Sequence, residues 1–129
     1  MAQSAGLHEP IELLNPKTIE RHRAVVSIQE ELEAVDWYDQ RVDASSDPDL
    51  AAILAHNRDE EKEHAAMLLE WLRRHDPVLD GHLRTFLFTS EPITQVEAEM
   101  TGAAPGPDVA PGTQGSESLG IGSLKGAEQ

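Results

Sequence analysis

NPKTIERHRAVVSIQEELEAVDWYDQRVDASSDP, residues 15–48, opens and closes on the same signal. Asn15-Pro16 sets an N-capping side chain before a proline at the first helical position, where a missing N–H leaves no bond unmade. A helical pattern follows to about Val42, and Asp47-Pro48 then repeats the start. The second pattern runs to about Arg74, where Asp76-Pro77 stops it. The connection from Asp43 to Asp47 is short, so the spacing predicts two antiparallel helices. Each spans about 27 residues, roughly 40 Å at ~1.5 Å per residue, and matched lengths suit a bundle. A short third helix is expected over 78–89, VLDGHLRTFLFT, with Gly81 weakening it. The fold class is all-α: an antiparallel two-helix hairpin plus a short third helix.

Composition changes near residue 95. The stretch TGAAPGPDVAPGTQGSES (101–118) has 7 Gly or Pro among 18 residues and only Val109 as a larger apolar side chain. Such a segment cannot offset the entropy lost on ordering, so it is expected to be a flexible linker. The domain plan is a helical domain over 1–95, a disordered linker over 96–118 and a tail over 119–129. A folded part of about 90 residues, mostly helical, makes a thin core, for which oligomerisation is the expected remedy.

The 129 residues carry 10 Lys and Arg against 24 Asp and Glu, a net charge of −14, which argues against a nucleic-acid partner and favours attraction of cations. Cysteine is absent, so disulfides, thiolate metal sites and cysteine nucleophiles are excluded. MAQSAGLHEP has neither the basic start nor the apolar run of a signal peptide, and no apolar stretch is long enough to cross a membrane. A cytoplasmic protein, with no membrane partner, is the expectation.

Chemistry is carried by Glu31 and by Glu61-x-x-His64. At about 100° per residue, Ala24, Ile28, Val35, Tyr38 and Val42 fall within about 60° of Glu31, which therefore interrupts an apolar stripe. Leu50, Leu54, Ala65, Leu68 and Leu72 lie within about 40° of Glu61, and His64 is about 60° to one side, next to Ile53, Met67 and Trp71. An unpaired carboxylate on a buried face needs a cation or a proton. Carboxylate-bridged di-iron bundles take one Glu from each of two helices and a Glu-x-x-His from each of two others. This chain offers one copy of each set, so a second identical chain would complete a four-helix bundle and its centre.

Plainer readings stand beside this one. RDEEKEH (58–64) also suits a solvated, salt-bridged face, and Glu31 also suits a partner for Arg58. His56 and His75 have no matching acid on the buried face and read as ordinary polar residues. Tyr38, about 20° from Glu31, suits either a hydrogen bond to the centre or a core tyrosine. Glu30, Glu33 and Trp37 define another face, where the two acids either attract metal or are merely solvated.

The segments RHRAVVSIQEELEAVDWYDQRVDA (21–44), ILAHNRDEEKEHAAMLLEWLRR (53–74) and HLRTFLFTSEPIT (82–94) together resemble the encapsulated ferritins. LGIGSLKG (119–126) resembles the peptide by which cargo docks into encapsulin shells. The resemblance implies a ferroxidase that oxidises Fe(II) with O₂ at a di-iron centre shared between two chains. It carries over Glu31, Glu61 and His64 as iron ligands, with Trp37 and Tyr38 beside them. Glu30 and Glu33 match acids of a secondary site through which metal enters. It further implies a homodimer within a ring-shaped assembly, a decamer, and an encapsulin shell partner for iron storage and detoxification. Docking falls to Leu119, Gly120, Ile121, Gly122, Ser123 and Leu124, which places the protein inside a nanocompartment. The alternatives are a non-catalytic iron-binding adaptor cargo and a rubrerythrin-like peroxide-reducing di-iron protein.

Overall fold

The computed structural model describes residues 6–102, and the elements follow the punctuation of the sequence. A short 3₁₀ turn, Ile11–Leu13, precedes α1, Pro16–Ala44. Asn15 Oδ1 accepts from the Lys17 N–H at 2.8 Å, and Pro16 fills the first helical position, as the Asn-Pro pair demands. The helix closes where Ser45 N–H reaches the Arg41 carbonyl. Two residues later Asp47 Oδ1 accepts from the N–H groups of Asp49 (2.9 Å) and Leu50 (3.4 Å), opening α2, Pro48–Arg74. Replacing Asp47 by Ala should lower the unfolding free energy by about 1 kcal/mol, because two amide donors at the helix start lose their acceptor. Urea denaturation checks this.

The last turn of α2 is held from two sides. Arg73 forks onto both Glu70 oxygens at 2.8 Å, and Arg74 adds a contact at 2.7 Å, which together hold the Glu70 carboxyl at about 2. His75 ends the helix: its imidazole stacks on Trp71 at 3.9 Å and its Nδ1–H donates to the Trp71 carbonyl.

α1 packs on α2 as the expected antiparallel hairpin. The core of that hairpin is thin: among the described residues only Ala24 and Leu72 are buried. Larger apolar side chains stay open to solvent, among them Val25, Leu32, Leu50, Ile53 and Met67. Two helices meet along one line, so each keeps most of its circumference free.

The chain divides into two compact units, the first ending at Asp76 and the second beginning at Pro77. In the second, α3 spans Pro77–Phe86 and packs on α4, Ile93–Thr101. Two expectations need correction here, the end of the third helix and the start of the linker. The third helix stops at Phe86, short of residue 89, because Phe88 takes the left-handed conformation, φ 64°. Gly81 lies inside the helix, as expected, and Thr85 Oγ1 donates to its carbonyl. The fourth helix was not anticipated, and it crosses the 95/96 boundary, so 96–101 is helical rather than linker. Gly102, φ 76°, caps it in the left-handed conformation that glycine adopts without strain. The remainder of the expected linker and the whole tail at 119–129 lie outside the described residues.

Candidate metal centre

Glu31 lies near the middle of α1, and Glu61 and His64 lie near the middle of α2. An antiparallel hairpin of matched helices brings midpoints together. His64 Nδ1 is 3.2 Å from Glu61 Oε1 and 3.5 Å from Glu31 Oε1. One ligand atom from each residue lies within 4.8 Å of the others, the spacing of donors around one small cation. Both glutamate side chains are 24% exposed and the histidine 43%, so the group is half-covered.

The electrostatics are those of carboxylates crowded together. The Glu31 carboxyl is pushed above its ordinary value, first by the hydrogen bond it makes to Glu61 and then by desolvation. The same hydrogen bond, with His64 assisting, draws Glu61 below its ordinary value. Of the two acids, Glu31 is therefore the one that holds a proton more readily. His64 is raised, first by its hydrogen bond to Glu61 and also by the charge of Glu31, so Nδ1–H donates to carboxylate. The donor set suits a divalent metal of intermediate hardness: two carboxylates and an imidazole, with no thiolate.

The remaining candidates are placed differently. Trp37 is exposed and lines a shallow depression with Gln40, Arg41 and Ala44, away from the cluster. Tyr38 carries Arg41 over its ring, the guanidinium carbon 5.3 Å from the centroid, and makes no hydrogen bond to Glu31 among the described residues. Glu30 and Glu33 are exposed and outside the three-residue group. Arg58 does not pair with Glu31. It bonds Asp39 on α1 and Asp59 on α2, both at 3.0 Å. His56 pairs with Glu60 on the solvent side, 3.1 Å away. The Arg58–Asp39 contact was missed in the sequence, although its signal was there. Opposed residues of an antiparallel hairpin have indices with a nearly constant sum, and 39 with 58 matches 31 with 64 to within one turn.

Among the described residues no helix is long and apolar enough to cross a membrane. The profile of the EncFtn-like family matches residues 6–90, a span that contains α1, α2 and α3. The chain belongs to the EncFtn-like family. This EncFtn-like chain is 67% identical over 130 residues to the "Encapsulated ferritin-like protein" of Rhodospirillum rubrum, covering 98% of this chain and 93% of that one. It is 38% identical over 108 residues to the "Encapsulin nanocompartment cargo protein EncC" of Myxococcus xanthus, over 78% and 80% of the two chains. The crystal structure of protein ne0167 from Nitrosomonas europaea matches with a TM-score of 0.66 and 61% identity, over 68% of this chain and 97% of that chain. The resemblance to encapsulated ferritins and the ferritin-like helical fold both hold.

Proposed function

We propose that two copies of this chain form a four-helix bundle around a pair of iron sites and oxidise Fe(II) with O₂. One observation carries this reading: Glu31, Glu61 and His64 converge from two helices, yet they are half of the ligand set that a carboxylate-bridged di-iron bundle requires. A twofold partner supplies the other half. The exposed apolar side chains of α1 and α2 are what such a partner would cover.

The residues have distinct tasks in this scheme. Glu31 and Glu61 are hard donors able to bridge two metals and to hold iron in both oxidation states. They would set the pair about 3.5–4 Å apart, so that each Fe(II) gives an electron to the same O₂. His64 contributes one neutral nitrogen per iron once its proton leaves, which keeps other coordination positions open to oxygen. Iron is here the substrate, and Zn(II) should occupy the same ligands and inhibit, having no redox chemistry. Anaerobic loading with Fe(II) followed by air, watched for ferric absorbance, tests the proposal. Iron bound without oxygen uptake would instead mark an adaptor cargo, and faster reaction with peroxide than with O₂ would mark a rubrerythrin-like enzyme.

The two named relatives are called encapsulated and an encapsulin cargo, which supports the same placement for this chain. We assign docking to the tail, where Leu119, Ile121 and Leu124 alternate with glycine, a pattern that suits a shallow groove on a shell. Truncation at about residue 115 should leave oxidation rates unchanged and end co-purification with a co-expressed encapsulin, since the tail is tethered beyond the helices. Packaging of the truncated chain would refute the assignment.

A further inference from the structure

Glu61 has a charged neighbour on each side along α2. Arg58 stands three residues before it and His64 three residues after, each about 60° around the helix. Residues three apart on a helix are within reach of each other. His64 takes the carboxylate, at 3.2 Å. Arg58 does not. Its Nη1 donates across the hairpin to Asp39 and its Nε to Asp59, and its side chain is only 23% exposed. Lys62, next to Glu61 in sequence, lies 3.5 Å from the same Asp59 oxygen. Both permanent cations that flank Glu61 are therefore turned onto aspartates outside the ligand group.

The arrangement avoided here is a strong one. A guanidinium is planar, always charged, and matches a carboxylate with two parallel hydrogen bonds. Placed on Glu61, it would occupy the oxygen lone pairs that a metal needs and set a positive charge beside the incoming cation. Asp59 alone leaves Nη1 and its reach free, whereas Asp39 draws the group toward α1.

We propose that Asp39 is a positioning residue for the metal centre: by holding the Arg58 guanidinium across the hairpin, it keeps Glu61 available to a divalent cation. The inference rests on the metal-centre reading above. The competing role is a plain helix-to-helix clamp.

Zn(II) binding to the full chain, followed by titration calorimetry, separates these possibilities. Glu61→Ala is measured first, and binding as in the wild type there would overturn the centre itself rather than the role of Asp39. With the centre established, Asp39→Asn keeps size and shape while removing the charge that holds Arg58 Nη1 across the hairpin, Asp59 keeping only Nε, and affinity should fall by about tenfold. The double variant Asp39→Asn, Arg58→Gln removes the released cation and should restore wild-type affinity. Asp39→Glu, which retains a carboxylate, should bind normally. A clamp behaves in the opposite way: Arg58→Gln alone would weaken binding, and the double variant would recover nothing. Wild-type affinity in Asp39→Asn, or a double variant as weak as Asp39→Asn, overturns the proposal. Circular dichroism accompanies each variant. If Asp39→Asn loses its helices, Arg58→Gln alone decides, since the proposal requires unchanged or tighter Zn(II) binding and the clamp requires weaker.

Discussion

Alanine at Glu31, Glu61 or His64 is expected to slow Fe(II) oxidation by at least about 100-fold, because even partners outside the ligand shell are worth 10–100-fold in metal affinity. In the proposed dimer each substitution removes two ligands at once. The helices should persist. None of the three is a buried packing residue, and alanine is the best helix former. Oxidation rate and far-ultraviolet circular dichroism need to be measured on the same samples. Rates like wild type in any two of the three variants would exclude the assigned centre.

Metal removal should have an effect of comparable size on assembly. Two Glu31 and two Glu61 bring four negative charges to the proposed dimer interface, and two Fe(II) bring four positive ones. The loaded centre is formally neutral. The empty one must repel or take up protons, and a cation that binds only the assembled form stabilises it by linkage. Chelated protein is therefore expected to shift to smaller species, and Fe(II), Zn(II) or Ca(II) to restore larger ones.

The pH dependence of the metal-free form follows from the same three groups. Glu31 and His64 are both raised, so their contributions are complete below the ordinary values of 4.5 and 6.5 and disappear as pH rises through the folded-state values. Glu61 is lowered, so its contribution is complete above 4.5 and disappears as pH falls through its folded-state value. The three contributions overlap in mildly acidic solution, above the ordinary carboxylate value and below the raised values of Glu31 and His64. Mild acid should accordingly replace part of the effect of metal, and metal binding at neutral pH should release protons. Light scattering of chelated protein across this range, with and without Zn(II), reads out both effects. A particle size indifferent to metal and pH would mean that the apolar stripes alone hold the assembly.

The hairpin was legible because its determinants are local. Asn15-Pro16 and Asp47-Pro48 close their caps on amides two or three residues away, so helix starts could be read without knowing the fold. The second unit was read less well. The expectation for 78–89 followed apolar content, whereas the turn depended on Phe88 accepting a left-handed backbone, a choice not encoded by any glycine at that point. The helix Ile93–Thr101 gave little signal because the β-branched Ile93, Thr94, Val96 and Thr101 dilute its helix formers and Gly- and Pro-rich sequence follows.

By itself the sequence determined two matched helices, an acid at the middle of one apolar stripe, and an acid and a histidine one turn apart on the other. Those are consequences of 3.6-residue periodicity and of cap chemistry, both short-ranged. Only the tertiary structure decided which charges meet. It gave Arg58 to Asp39 instead of Glu31, set Glu31 against Glu61 so that one carboxyl is raised and the other lowered, and placed Trp37 in a depression apart from the cluster. The physical reason is register. A helix fixes the angle of each side chain about its own axis, but a slide of one turn along the partner exchanges every cross-helix pair. That slide is settled by the packing of the two helices together.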